Sequence, residues 1–138
     1  MIATREHSMG RATIAAICLI AGFSIFVPPG SSAPGEDDLV ALARTGNRVL
    51  IADFGLGMCM QCRKQAEILG KVRDTYKDKV LVRMVQVNKE QALTEKYRVE
   101  TIPHLIFFDP GGNVRYRKTG VMSFEAISVQ LADMGVNP

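Results

Sequence analysis

The feature that most constrains the fold is a buried-strand pattern, then a long amphipathic helix, then a second strand pattern. Arg48 to Phe54 (RVLIADF) is a nearly continuous apolar run, typical of a strand buried on both faces. From Cys59 onward, apolar residues recur every three or four positions and predict one face of a helix, formed by Cys62, Ala66, Leu69, Val72 and Tyr76. Val80 to Val87 (VLVRMVQV) is the second strand. Because a crossover helix joins the two strands, we expect them to be parallel.

The remaining segments complete an α/β sheet. Helices are predicted at Glu36–Arg44 and Glu90–Tyr97 and from Ser123 onward, and strands at His104–Asp109 and Val114–Lys118. Pro110–Asn113 reads as a hairpin turn that adds an antiparallel edge. The expected fold class is α/β, with a central mixed sheet of about four strands and helices on both faces.

Residues 1–33 are predicted to be a signal peptide or an N-terminal membrane anchor, followed by one domain over residues 34–138. Arg5 and Arg11 flank the start of an apolar run over residues 12–27, and prolines and small residues follow it. The run is shorter than the roughly 20 residues of a spanning helix, which favours a signal peptide. Pro34 is unfavourable for cleavage before it, which leaves the anchor open. Cys18 lies in this segment, so the exported domain keeps two cysteines.

Composition and charge argue for one ordinary globular domain and against nucleic acid as a partner. Hydrophobic residues make up 47% and charged residues 22% of the 138 residues, a typical globular balance. Lys and Arg number 17 against 14 Asp and Glu, a net charge of +3, and they are scattered rather than clustered. The chain has no Trp, and no aromatic residues are interleaved with a basic patch.

The motif GMCMQC places Cys59 at the start of the predicted long helix and Cys62 one turn later. Side chains three positions apart share a helix face, so the two sulfurs can form a disulfide. Unpaired N–H groups and the helix dipole stabilise a thiolate at the helix start. Arg63 and Lys64 are interpreted first as two solvated helix residues, and otherwise as positive charges that add to this effect. We therefore expect Cys59 to attack a partner's disulfide and Cys62 to resolve the mixed disulfide.

Three other uses of the cysteines remain open at this point. A structural disulfide across so short a loop restrains little of the unfolded chain. A zinc site needs four ligands, and the exported domain offers the two cysteines and His104. Copper is the stronger alternative, because thiolate and thioether ligands suit Cu(I) and Met58 and Met60 flank the cysteines. That alternative is a periplasmic copper-binding module using the same cysteines with Met60 or His104.

Two further residues point to chemistry near the cysteines. Asp53 interrupts an apolar strand, where an isolated carboxylate is costly and tends to take up a proton. A protonatable acid there could exchange the Cys62 proton. Pro103 opens the third strand, in the segment Thr101-Ile102-Pro103, and proline cannot donate to a strand ladder. The Ile-Pro bond is a candidate cis peptide, against the commoner alternative of an ordinary trans proline.

The chain resembles the thioredoxins over roughly residues 48–134. Three segments carry the resemblance by their order and spacing: ADFGLGMCMQC, ETIPHLIFFDPGGNV and KTGVMS. The resemblance implies a thioredoxin-like fold, although the first strand of that fold looks missing or very short here. It also implies roles for six positions: Cys59 as nucleophile, Cys62 as resolving cysteine, Asp53 as the buried acid, Pro103 as a cis-proline facing the disulfide, Ile102 as a backbone partner for the substrate, and Gly120 as the glycine that keeps the substrate groove open.

Several residues depart from the usual thioredoxin pattern. Met58 replaces a Trp before the first cysteine, Gly55 replaces another Trp, and Met60-Gln61 replaces Gly-Pro between the cysteines. Met84 stands where the family has a lysine near the buried acid, and His104 follows the proline. His104 is interpreted as a neutral core residue, a pH-sensitive neighbour of the thiols or a copper ligand. These changes bear on the direction of electron flow rather than on the dithiol chemistry.

The sequence thus predicts an exported thiol–disulfide oxidoreductase that acts as a reductant, in the periplasm or at the outer face of the inner membrane. Cys59, Cys62 and Asp53 are its predicted catalytic residues, and the predicted substrate-binding residues are Met58, Met60, Gln61, Ile102, Pro103 and Gly120. No cofactor beyond the Cys59–Cys62 disulfide and no metal are expected. The expected partners are proteins with a disulfide or dithiol and a membrane electron donor. If the N-terminal segment is an anchor and not a cleaved signal, it attaches the protein to the membrane.

Overall fold

The computed structural model describes residues 38–138, so the predicted leader over residues 1–33 lies outside the described part of the chain. The elements in chain order are α1 (Asp38–Gly46), β1 (Val49–Gly55), α2 (Met60–Tyr76), β2 (Val80–Gln86), α3 (Gln91–Lys96), β3 (His104–Phe108), β4 (Val114–Thr119) and α4 (Phe124–Asp133). A short 3-10 turn, Lys77–Lys79, joins α2 to β2. Within this range, no helix combines the length and the apolar character needed to cross a membrane.

The four strands form one mixed sheet in the order β2-β1-β3-β4. β1 and β2 are parallel, as the crossover pattern predicted, and Asp53 of β1 lies in register with Met84 of β2. β3 is antiparallel to both β1 and β4, so the hairpin supplies the antiparallel edge. The predicted α/β class and the mixed four-stranded sheet are both confirmed.

Helices cover both faces of the sheet, and each face has its own hydrophobic core. On one face, α2 and α4 pack against the sheet through Leu69, Val72, Tyr76, Ile127 and Leu131. On the other face, α1 contributes Leu39 and Ala43, and the partly buried Leu93 of α3 packs beside them. All seven residues of β1 are buried, because this strand has a neighbour on each side and a helix layer on each face. The apolar run of β1 therefore follows from its central position.

The buried face of α2 differs from the prediction at one position. Gln65 is fully buried, whereas the predicted Ala66 is only partly buried. The carbonyl oxygen of the Gln65 side chain accepts a hydrogen bond from the backbone N–H of Met122 at 2.7 Å. A buried polar side chain is tolerated when it makes such a bond. Gln65 thus links α2 to the loop between β4 and α4. Helix periodicity alone had predicted the smaller, apolar Ala66 at this place on the buried face of α2.

Candidate active site

The two cysteines lie where β1 turns into α2. Cys59 is the N-cap residue of α2, with φ −78° and ψ 119°, and its sulfur accepts a hydrogen bond from the backbone N–H of Cys62 at 3.2 Å. Its own N–H donates to the carbonyl of Leu56 at 3.0 Å, which fixes the turn. An N-cap side chain normally satisfies one of the unpaired N–H groups of the first turn, and a sulfur does so here. Both thiols are free in this state.

The two thiols have opposite electrostatic environments. Two hydrogen bonds from Cys62 lower the pKa of Cys59: the larger effect comes from the Cys62 side chain and the smaller from its backbone N–H. The positive charge of Arg63 lowers this pKa further. Burial is the main cause that raises the pKa of Cys62, and the hydrogen bond to Cys59 raises it further. The thiolate is the nucleophilic form of a cysteine. The site therefore separates an activated outer thiol, Cys59, from a protonated inner thiol, Cys62.

Asp53 is a fully buried carboxyl group on β1, on the sheet face that α2 covers. Its side chain has no exposed surface, and neither oxygen has a hydrogen-bond partner within residues 38–138. Burial raises its pKa from 3.8 to about 7. Its negative charge in turn raises the pKa of Cys62. Asp53 is thus poised to hold or release a proton near neutral pH, as its place in the apolar strand led us to expect.

Gly55 matters for a reason that the sequence did not reveal. A Cβ atom on this glycine would lie 3.3 Å from the Cβ of Cys62 and 3.5 Å from its sulfur. The missing side chain lets the first turn of α2 approach the end of β1, which buries Cys62. In the sequence, Gly55 is recognisable only as the replacement for a Trp of the family pattern. Its contact with Cys62 joins two different elements, and such a contact has no signal in local sequence.

The residues predicted to bind substrate lie on two segments, one next to Cys59 in the chain and one at the start of β3 and the end of β4. Met58 and Met60 are strongly exposed, at 89% and 76%, and Gln61 is exposed beside them. On the opposite segment, the Ile102–Pro103 peptide bond is cis, and the carbonyl of Pro103 accepts a hydrogen bond from the N–H of Gly120 at 2.8 Å.

A surface cavity of about 430 Å³ joins the helix start to the loop after β4. Its lining consists of Met60, Gln61, Lys64 and Val121. Gly120, next to Val121, has a φ of +84°, a backbone conformation that favours glycine, and a Cβ there would meet nothing within 4 Å. The structure thus opens a groove beside three of the predicted residues, and it adds Lys64 and Val121 to the lining. Neither residue carried a substrate-binding signal in the sequence.

His104 lies on the sheet face opposite Asp53, alongside Ile106 and Phe108 of the same strand. It is 9% exposed, and its Nδ1 lies 3.0 Å from the hydroxyl of Thr119. Burial, with a smaller contribution from the positive charge of Arg117, lowers its pKa. These contacts favour the neutral core residue among its three interpretations. Within residues 38–138, no group of three or more His, Cys, Asp or Glu side chains is placed to hold a metal ion.

Comparison with known proteins agrees with this geometry. The family model described as Thioredoxin matches residues 38–133. A thioredoxin of Alicyclobacillus acidocaldarius is 30% identical over 89 residues, which cover 64% of this chain and 84% of that protein. A chloroplast thioredoxin-like protein of Arabidopsis thaliana is 32% identical over 115 residues, covering 72% of this chain and 42% of that protein.

Solved structures extend the likeness to the fold. The structure of a chloroplastic thioredoxin z aligns with a TM-score of 0.62 at 20% identity, covering 69% of this chain and 86% of that one. That structure, like this one, carries the thioredoxin fold. Proteins of this family exchange thiols and disulfides through their own cysteine pair. The chain belongs to the thioredoxin family, and its activity is that of a thiol–disulfide oxidoreductase.

Proposed function

We propose that this protein is an exported reductant of protein disulfides, with Cys59 as the attacking thiol. The observation that carries this assignment is the asymmetry of the pair: a Cys59 sulfur hydrogen-bonded at the helix start, and a buried Cys62 behind it. A lowered pKa supplies thiolate at Cys59, which is partly exposed, and a raised pKa keeps the thiol of Cys62 protonated until the second step. This order is the one that an exchange reaction requires.

The reaction proceeds in two balanced steps. The Cys59 thiolate attacks one sulfur of the partner's disulfide, forms a mixed disulfide and releases the partner's other sulfur as a thiolate. Cys62 then loses its proton, attacks the Cys59 sulfur and releases the second partner thiolate. The partner gains two electrons, and the protein is left with a Cys59–Cys62 disulfide. Asp53, whose pKa burial raises to about 7, is the proposed acceptor of the Cys62 proton.

Substrate binding is assigned to the surface around Cys59. Met58, Met60 and Gln61 provide one side, and Ile102, Pro103 and Gly120 provide the other. Methionine side chains are flexible and polarizable, which suits a surface that accepts partners of different shape. A protein reductant must itself be reduced again, so we assign it a membrane electron donor as its second partner.

A trapping experiment tests the proposed order of attack. Replacing Cys62 with serine removes the resolving thiol and leaves Cys59 able to form the mixed disulfide. We expect the Cys62→Ser chain to accumulate a covalent adduct with a disulfide-containing protein such as insulin, visible as a mass shift that dithiothreitol reverses. The Cys59→Ser chain is the matched control and should form no such adduct. Trapping by Cys59→Ser and not by Cys62→Ser would reverse the assignment of the two cysteines.

Export is proposed from the N-terminal sequence, whose basic residues and apolar run are typical of a secretory signal. Residues 1–37 fused to alkaline phosphatase, an enzyme that needs disulfides formed outside the cytosol, should give active enzyme in a bacterial host. Replacing Leu19 and Ile20 with arginine, within the apolar run, should abolish that activity. Equal phosphatase activity from both fusions would contradict export by this segment.

A further inference from the structure

A second groove opens on the far side of Cys62, between α2 and the edge strand β2. At the end of the groove next to Cys62 lies a small cavity of about 60 Å³, lined by Leu56, Gly57, Cys62, Arg63, Ala66 and Met84. A larger cavity of about 280 Å³ continues it and is lined by Ala66, Leu69, Gly70, Arg73, Val82 and Met84. The two cavities are adjacent, because Ala66 and Met84 line both of them, and together they are called the α2/β2 groove. No residue of the predicted substrate-binding surface lines it.

Gly70 keeps this groove open. It lies in the middle of α2, where glycine costs about 1 kcal/mol relative to alanine. Neither packing nor backbone conformation requires a glycine there, because an added Cβ would meet nothing within 4 Å and the φ angle is not in the left-handed region. Its place in the lining of the groove supplies a reason for a glycine at this position.

The strand beside the groove is paired on one side only. β2 is at the edge of the four-stranded sheet and pairs only with β1 within residues 38–138. Near the C-terminal end of β2, side chains already bind two backbone groups of this edge. Arg83 donates to the carbonyl of Met84, and Glu90 accepts from the N–H of Gln86. The earlier part of the strand, up to Val82, carries no such side-chain cover among the described contacts. An extended segment can pair with an edge of this kind and place alternate side chains against α2.

The positively charged side chains in the lining of the groove favour a partner segment with acidic residues. Among residues 38–138, the lining is apolar apart from two arginines, Arg63 at the Cys62 end and Arg73 at the other end, and no acidic residue of this range lines it. Arg73 has Asp74 as an ion-pair neighbour at 3.8 Å, but both side chains are more than two-thirds exposed and such pairs contribute little. A second copy of this chain would bring the same two arginines of the lining to the edge, and like charges oppose that pairing.

We propose that the α2/β2 groove is a docking site for an extended segment of a partner protein in which apolar residues alternate with acidic ones. Its apolar side chains fill the space beside Ala66, Gly70 and Val82, and its carboxylates pair with Arg63 and Arg73. The docking requires no cysteine in the partner segment and no thiol in this chain. It is therefore separable from disulfide exchange, and it serves to hold a partner next to the redox pair.

A peptide-binding experiment on the full chain tests this site. The probe is a fluorescein-labelled, cysteine-free decapeptide in which valines alternate with glutamates and threonines, and the comparison peptide has lysines in place of the glutamates. We expect saturable binding of the acidic probe, measured by fluorescence anisotropy, with affinity at least tenfold higher than that of the lysine peptide. The Cys59→Ser chain, whose altered residue lies outside the lining of the groove, should bind the acidic probe as the wild type does.

Matched variants at Gly70 and Arg73 locate the binding. Gly70→Leu fills the groove and should weaken binding of the acidic probe at least tenfold, whereas Gly70→Ala adds one methyl group and should change it less than threefold. Both variants should have a higher thermal unfolding midpoint than the wild type, because helix propensity improves, which separates blocked binding from misfolding. Arg73→Glu should reverse the preference towards the lysine peptide.

Three results would overturn the proposal. They are binding of the acidic probe that Gly70→Leu leaves unchanged, equal binding of the two peptides, and absence of saturation at millimolar peptide. A wild-type chain that sediments as a dimer, and that Gly70→Leu converts to a monomer, would assign the groove to a second copy instead. Because the probe has no cysteine, each of these results leaves the disulfide-exchange function unaffected.

Discussion

Replacing Cys59 with serine is expected to abolish disulfide turnover, with a loss of roughly a thousandfold or more. A serine hydroxyl stays protonated at neutral pH, and it cannot form or exchange a disulfide. The environment that lowers the pKa of Cys59 therefore has no reactive group to act on. The measurement is the initial rate of insulin disulfide reduction by the full chain, with dithiothreitol as the electron source.

The third cysteine provides the matched control for this loss. Cys18 lies in the predicted leader, outside the described domain, and Cys18→Ser should leave the rate of insulin reduction within twofold of the wild type. Far-UV circular dichroism and the thermal unfolding midpoint of Cys59→Ser should match those of the wild type, because the side chain is partly exposed at a helix N-cap and serine is a favourable N-cap residue. Retention of more than a tenth of the wild-type rate by Cys59→Ser would contradict its role as the nucleophile.

The second large effect is on stability and comes from Asp53. Its pKa is 3.8 in an unfolded chain and about 7 in the folded protein, so the folded state holds its proton more tightly. For an acid whose pKa is raised by folding, the free energy of unfolding is highest below pH 3.8, falls between pH 3.8 and about 7, and is constant above that range. Each pKa unit corresponds to about 1.4 kcal/mol, so the whole contribution is about 4 kcal/mol.

Asp53→Asn should remove this pH dependence, because the amide has nearly the same shape and does not ionise. We expect the difference in unfolding free energy between the wild type and Asp53→Asn to change by about 3 kcal/mol between pH 4.5 and pH 8, with the wild type losing stability as the pH rises. Urea unfolding of the reduced chains at both pH values measures it. Asp74→Asn, at a carboxyl group that is 77% exposed, is the control and should not change the profile. A parallel profile for the wild type and Asp53→Asn would show that Asp53 titrates normally.

The neighbour of Asp53 across the sheet offers a sharper version of the same test. Met84 is in register with Asp53 on β2, and it is 44% exposed. A lysine at this position brings an ammonium group towards the carboxylate, and an opposite charge within about 4–6 Å lowers the pKa of an acid by about 1–3 units. Met84→Lys should therefore shift the loss of stability to lower pH and shrink it, whereas Met84→Leu should not. Met84→Lys should also slow the step that depends on Asp53 accepting a proton at neutral pH.

Much of the fold could be predicted from local patterns. The continuous apolar run of β1 indicated a central strand because only a strand with two neighbours and two helix layers buries every side chain. The helix that begins after Cys59 was predicted from residues three and four apart, and Ser123 proved to be the N-cap of α4, with its hydroxyl accepting from the N–H of Ala126. Element boundaries moved by one or two residues. β1, for example, extends to Gly55, whose carbonyl accepts from the N–H of Val87.

The candidate site could be predicted in part. Cys59, Cys62 and Asp53 were identified from the motif and from a single acid in an apolar strand, and the structure places them around the junction of β1 and α2. The roles of Gly55 and Gln65 were missed, because both depend on atoms from another element: the first turn of α2 for Gly55, and the N–H of Met122 for Gln65. The α2/β2 groove was missed for the same reason. It exists only where two elements distant in sequence leave space between them.

The reduction potential of the Cys59–Cys62 pair tests the central claim most directly. The full chain is equilibrated in two series of buffers, one of graded dithiothreitol ratio for low potentials and one of graded glutathione ratio for higher potentials. It is then quenched with acid and labelled with a maleimide whose mass counts free thiols. We predict a reversible transition in which Cys59 and Cys62 lose their thiols together. A tenfold change in the equilibrium constant corresponds to about 30 mV for such a two-electron couple. The expected midpoint is about −270 mV, as for a reductant. A chain that shows no reversible loss of these two thiols at any ratio would contradict the claim that Cys59 and Cys62 form a redox couple. A midpoint near about −120 mV would preserve the couple but make the protein an oxidant.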